Sequence, residues 1–404
     1  MVYYRAMSLA APRRTQRLAE ADALAAVFGR RAAALDAEAA FPHANVDDLR
    51  AAGWPALVVP RDLGGDGAGL LDTVRLVERL AAGDGSTALA FAMHLQTVGA
   101  AAASRGWPAA RFAAVCRDVV ARGALVNACA SEPELGSPSR GGLPRTVARR
   151  VGDGWRITGR KSFASLAPVL DYVIVPAALD GEPDTIGRFL VTRQPGVSVV
   201  ETWDSMGMRS TGSHDLVLEE VAVPDTDLLY RQSAAAPDPY QPDANAWFTL
   251  VVSAVYLGVG QAALAAALRY ANTRVPTALG RPIATVDAVQ RRAGRADLAL
   301  TAARALLHQV AGMWDRAPAQ RRGRGADVVA AKIHVTNAAI DAAGEAMRIV
   351  GGAAVRRDLP LERHFRDVQA GLFHPPSDDQ GLALLGRLAL RRVADDDGAT
   401  PPHG

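Results

Sequence analysis

Cysteine is almost absent from this chain of 404 residues: Cys116 and Cys129 are the whole complement. Two thiols at an ordinary spacing exclude a disulfide framework and a Cys-rich metal site, so no metal is expected and a reducing, cytoplasmic setting is. Aromatics are scarce as well, at 5%, which argues against a sheet-rich sandwich. An excess of either charge is also lacking, since 45 Lys+Arg against 42 Asp+Glu leave a net charge of only +3. The basic residues are interspersed with acidic ones, so no nucleic-acid groove is expected. The runs "QRRAGR" at 290–295 and "AQRRGRGAD" at 319–327 read as solvated helix ends or a loop. The N-terminus has no apolar core of signal-peptide length, and no charge-free apolar run of membrane-spanning length is expected, so no membrane partner is predicted.

Alanine-rich helical periodicity is what the chain has instead. Apolar residues recur at three- and four-residue steps in "LAEADALAAVFGRRAAALDAEAA" and "LLDTVRLVERLAAGD", separated by Gly- and Pro-bearing breaks. From Ala128 the texture changes to short Val-, Ile- and Thr-rich strands, and "GDGW" between two of them signals a hairpin turn. Helical blocks return from about Ala246. The expected fold is mainly α with a β domain: an N-terminal helical bundle over 1–126, a middle antiparallel β domain over 127–235, a C-terminal four-helix bundle over 236–394 and a disordered tail over 395–404.

Five segments follow in order along this plan: "AAGWPALVVPRDLGGDG" (51–67), "ASEPELGS" (130–137), "ITGRKSFAS" (157–165), "DSMGMRSTGSHDLVLEEVAVP" (204–224) and "IVGGAAVRRDLPLERHFRD" (349–367). Together they resemble the acyl-CoA dehydrogenase superfamily. The resemblance implies FAD, held between the β domain and the second helical bundle, with a neighbouring subunit completing the site in a homotetramer. An acyl-thioester or other small-molecule substrate, and an electron-transfer partner or flavin reductase, are implied with it.

Carried over position by position, Ser131 matches a flavin-contacting threonine, and Gly136 and Ser137 match a Gly-Ser by the pyrophosphate. Phe163 stands where the family has a tryptophan against the flavin, and Ser165 where it has a threonine; an aromatic face and a hydroxyl are kept. Arg274 stands at a pyrophosphate-binding arginine, but with a longer following segment. Arg348 replaces a glutamine that touches the adenine half, ahead of the closely approaching Gly351 and Gly352, and Asp287 replaces another glutamine. Ser377 and Asp379 fall at the flavin edge, although Asp378 and Asp379 also read as N-caps of the last helix. With the dinucleotide side altered, FMN or reduced flavin from a partner is an alternative to FAD.

The catalytic position departs furthest. Family members abstract an α-proton with a glutamate eight residues after the Asp of Arg-Asp; here that position is Pro375, in "RDVQAGLFHPPSDD". Some relatives place the glutamate on the first long helix of the last domain, and the equivalent here falls near Phe248, in a segment without an acid. His374, one step before the missing glutamate, matches a histidine of the flavin-dependent monooxygenases similar to dibenzothiophene monooxygenase. His94 matches a second histidine beside the flavin in that group. An imidazole donates or accepts near neutrality, so both are candidate catalytic residues. The first functional expectation is α,β-dehydrogenation of an acyl thioester with hydride transfer to flavin N5. The alternative is a two-component flavin-dependent monooxygenase using His374, and the third is an inactive flavin-binding homologue.

Overall fold

A computed structural model describes residues 7–134, 142–236, 238 and 240–396. Gly136, Ser137 and tail residues 397–404 lie outside the described residues. The first five helices are α1 (Ala11–Glu38), α2 (His43–Ala51), α3 (Leu70–Gly83), α4 (Gly85–Ser104) and α5 (Ala109–Arg122). Asp84 caps α4 by accepting from Thr87 N at 3.0 Å, which satisfies one of the amides a helix start leaves unpaired. Every residue of α4 from Gly85 to Ala101 is buried, so its nearly continuous apolar run is a core helix.

The middle region is one eight-stranded sheet: β1 (Val126–Ala128), β2 (Val147–Val151), β3 (Gly154–Ala164), β4 (Tyr172–Leu179), β5 (Thr185–Thr192), β6 (Val197–Val200), β7 (His214–Pro224) and β8 (Leu228–Ser233). The order is β6-β7-β3-β2-β4-β5-β8. It is antiparallel except at β4, where both β1 and β2 run parallel to it. The two-residue β2–β3 turn has Gly152 at φ +57, a conformation that glycine adopts without strain.

The last helices are α6 (Gln241–Thr273), α7 (Asp287–Arg316), α8 (Gly325–Val350), α9 (Leu361–Gln369) and α10 (Asp378–Asp396). The long helices are thus joined by a short one, α9, that packs on α6 and α8. Contrary to expectation, α6 is long and apolar enough by composition to cross a membrane, but 89% of its most apolar window is buried inside the protein. Its neighbours α3, α4 and α8 cover it, and a Cβ on Gly258 would stand 2.1 Å from Glu78 O. The helix is a core element. Helices α6 and α8 run side by side in the same direction: Gly260 packs on Ala339, and Tyr256 and Thr336 both close on Gly371.

Candidate functional site

The end of β3 is where the sheet becomes irregular. Its register against β7 shifts between Lys161 and Ala164, and Phe163 and Leu166 take positive φ values of 55° and 67°. Such values are costly for side chains with a Cβ and cluster at ligand sites. The kink leaves Phe163 65% exposed, its ring edge-on to Trp203 at 5.8 Å. Ser131 lies alongside, half-buried, its carbonyl accepting from Ser162 N at 2.9 Å. Among the described residues Ser162 Oγ and Asn127 Oδ1 are buried without a partner, while Asn127 Nδ2 donates to Ser165 O at 3.0 Å. An exposed aromatic face beside unpaired polar atoms fits a flat, polar-edged ring such as a flavin.

Beneath this edge two ionised groups are wholly buried: Lys161 Nζ lies 2.6 Å from Glu132 Oε1, and both side chains are 0% exposed. Thr146 and the amide of Arg145 also donate to Glu132. Burial alone would push the Glu132 carboxyl up, but the Lys161 and Thr146 hydrogen bonds hold it below the usual range. Lys161 and Lys332 are the only lysines in the sequence. Glu132 and Lys161 are functional residues beyond the expected set, and their place inside two of the five motifs, "ASEPELGS" and "ITGRKSFAS", is the signal the sequence carries for them.

The loop from Trp203 to Ser213 ties the β3 end to the last domain. Met208 O accepts from Trp203 Nε1 at 3.0 Å and from Thr211 Oγ1 at 3.1 Å. Met208 N donates to Asp367 Oδ1 at 2.6 Å. Burial pushes the Asp367 carboxyl up to about 7. Arg366, next to it, ion-pairs with Asp36 and Glu362. The Arg-Asp pair is therefore a clasp between the domains.

Past that clasp the chain turns over Gly371, where a Cβ would stand only 3.2 Å from the side chains of Tyr256 and Thr336, and delivers His374. Its Nδ1 lies 3.0 Å from Ala370 O and 3.0 Å from Tyr256 Oη. A carbonyl can only accept, so Nδ1 carries the proton and Nε2 keeps its lone pair. Among the described residues Nε2 has no hydrogen-bond partner. Burial, with Lys332 nearby, pushes the imidazole down to about 4, so it is neutral at physiological pH. Phe248 packs on the same ring, centroids 5.9 Å apart. Pro375 adjoins His374 in sequence and Phe248 meets it in space, so the two expected glutamate positions converge on one imidazole. The acids of the segment are engaged elsewhere or exposed: Asp378 accepts from Lys332 Nζ at 3.1 Å and Asn337 Nδ2 at 2.6 Å, and Asp379 is exposed.

Several expectations need correction or relocation. His94 is 0% exposed; its Nε2 donates to Pro55 O at 2.9 Å and its Nδ1 accepts from Val126 N at 3.0 Å. With both nitrogens spent on backbone, it braces α4 against β1 and cannot act as a catalyst. The N-cap of α10 is Ser377 rather than either aspartate, because its carbonyl accepts from Gly381 N at 2.9 Å and its hydroxyl faces Gln380 N. Ser165 Oγ is turned to Ser213 Oγ at 2.8 Å. Arg274 closes α6, and Arg348, Gly351 and Gly352 close α8, all exposed. Asp287, also exposed, starts α7 and pairs with Arg291. From Tyr256 to Arg274 is roughly 27 Å along the helix at 1.5 Å per residue. One chain therefore does not gather the Arg274 end and the His374 end at a single point.

Three domain models of one family match the chain: acyl-CoA dehydrogenase N-terminal domain over residues 15–111, middle domain over 127–221 and C-terminal domain over 247–373. The "Putative acyl-CoA dehydrogenase YdbM" of Bacillus subtilis is 41% identical over 363 residues, 90% of this chain and 92% of that protein. The amino sugar nitrososynthase DnmZ of Streptomyces peucetius is 31% identical over 366 residues, 88% of each chain. Among solved structures, KijD3 in complex with FMN and dTDP-3-amino-2,3,6-trideoxy-4-keto-3-methyl-D-glucose superposes with a TM-score of 0.84 at 28% identity, covering 95% of both chains.

Proposed function

The chain belongs to the acyl-CoA dehydrogenase family, and from that premise we propose that it is a two-component flavin-dependent monooxygenase using His374. It is a flavin-dependent oxidoreductase; the choice of reaction is our reading. The observation that carries it is the convergence of Phe248 and Pro375 on His374, which replaces a carboxylate by a neutral imidazole. A group with a pKa of about 4 is poorly matched to abstracting a carbon-bound proton at neutral pH. It is well suited to accepting a hydrogen bond from an O–H or N–H.

Bound reduced flavin would supply two electrons, so that one atom of dioxygen goes to the substrate and the other leaves as water. Phe163 and Trp203 would wall one side of the ring, and Ser131 and Ser162 offer polar contacts at its edge. Ala370 and Tyr256 hold His374 with Nε2 free to orient the oxidisable nitrogen, sulfur or carbon centre through an attached proton. Phe248 shields that imidazole from water. The exposed Arg274, Arg348, Gly351 and Gly352 would serve the phosphate side of an FAD held by a neighbouring copy. Leu382, Leu390 and Val393 line one exposed face of α10 and support a homotetramer. A flavin reductase is the expected partner.

The second reading, dehydrogenation of an acyl thioester with an electron-transfer partner, is favoured by the 41% identical relative. One pair of experiments decides between them. Flavin-loaded protein is mixed without oxygen with a panel of acyl thioesters, and reduced protein is then mixed with labelled dioxygen and candidate amines, thioethers and heterocycles. Labelled oxygen in a product supports the monooxygenase. Anaerobic bleaching of the flavin by a thioester overturns it.

A further inference from the structure

We infer that Lys332 is a positioning residue for His374: from within α8 it anchors, through Asp378, the segment that carries the imidazole. Lys332 and Lys161 are the only lysines in the sequence, and every other long-chain cation is arginine. Both lysines are buried and paired with a carboxylate, a place for a compact ammonium rather than a broader guanidinium. Lys332 Nζ, on a side chain 1% exposed, donates to Asp378 Oδ1 at 3.1 Å, and Asn337 Nδ2 donates to Asp378 Oδ2 at 2.6 Å. One turn after Lys332 on the same side of α8, Thr336 Cγ2 stands 3.2 Å from where a Cβ on Gly371 would be. Gly381 in turn lies against Ile333 and Val329. The chain thus meets α8 at Gly371, Asp378 and Gly381, and His374 sits in the span between the first two.

The ammonium also acts on the ring by its charge. The titratable groups around His374 are Tyr256 on α6, Lys332 on α8 and Asp378 on its own segment, while Asp367 on α9 acts on Tyr256. Burial is the main reason that the imidazole stays neutral, and the positive charge of Lys332 adds to it, since a like charge disfavours a second proton. Lys332 therefore serves Nε2 twice, by place and by charge. The inference rests on the role of His374 proposed above, and adds to it a residue that acts through the imidazole.

Diethylpyrocarbonate, which acylates only an unprotonated imidazole nitrogen, reads both effects in the intact protein without any substrate. Acylation is followed by mass on the tryptic peptide 367–387, whose one histidine is His374. In the wild type the rate should be nearly flat from about pH 7 to about pH 5, above the ring's value of about 4. Lys332→Met keeps an apolar stem and removes the charge; its rate at neutral pH should rise several-fold as the segment loosens, and should then fall on acidification within that window. Asp378→Asn neutralises the anchor and keeps the ammonium, so it should show the rise without the fall. Should Lys332→Met not fold, the double variant, which strands no charge, is read for the rise. Wild-type rates at neutral pH in every variant, or a fall shared by both single variants, overturn the inference and leave the role of His374 standing. A wild-type His374 that resists acylation is closed to substrate as well, which overturns that role itself.

Discussion

His94 and His374 are two imidazoles that burial pushes down to the same value, about 4, yet they do opposite things. His94 gives both ring nitrogens to backbone groups of Pro55 and Val126. His374 spends only Nδ1, on Ala370 O and Tyr256, and keeps Nε2 open beside Phe248. A perturbed basicity is thus shared by a brace and a candidate catalytic group. The unspent nitrogen is what separates them.

The contrast can be broken most forcefully by removing each ring in turn. His374→Ala should lower turnover by about two orders of magnitude while flavin stays bound, and His94→Ala, at equal concentration of folded protein, should leave turnover within a few-fold. Equal losses in the two variants would erase the distinction. Stability should show the reverse pattern: chemical denaturation of His94→Ala should reveal a loss of about 3 kcal/mol, because Val126 N is stranded and a cavity opens, against under about 1 kcal/mol for His374→Ala.

Acidity sharpens the same comparison. Folded His94 titrates near 4 rather than 6.5, so between those values the unfolded chain binds the extra proton. The stability that His94 contributes is complete above about 6.5 and drains away as pH falls toward about 4, by up to about 1.4 kcal/mol per unit. The stability gap between wild type and His94→Asn, followed by denaturant titration across that window, should therefore narrow on acidification. Asp367 and Asp315, raised to about 7 and about 6, push the other way but are common to both proteins and cancel in the difference. A gap that widens would contradict a buried neutral imidazole. The smallest effect is expected from Tyr256→Phe, which keeps the ring against Gly371 and removes one contact to His374 Nδ1. It should cost a few-fold in turnover, since Ala370 O still holds that proton.

The helical and stranded thirds were legible because their periodicities are local: the apolar steps of α3 and the "GDGW" turn of β2–β3 need only neighbouring residues. The vacancy of the glutamate positions was legible by counting. What could not be read is contact between distant segments. Phe248 and His374 are 126 positions apart in the sequence, and only folding reveals that the two empty positions are one place. The bonds of His94 to Pro55 and Val126 are similarly hidden, so a buried brace looked like a catalyst. The composition of α6 misleads in the opposite way, since a helix covered on all sides and one surrounded by lipid are both apolar all round.

The buried pair Glu132–Lys161 has a consequence for how such a chain can change over time. Losing either partner strands a charge in the interior at a cost of about 3–5 kcal/mol, a large share of the stability of an ordinary domain, whereas exchanging both for apolar residues can be neutral. Single substitutions must cross a valley that the double substitution avoids. A lineage is then free to vary elsewhere while the segments that carry Glu132 and Lys161 stay locked by the mutual dependence of that pair. Those segments record ancestry of the scaffold, and the chemistry is written elsewhere.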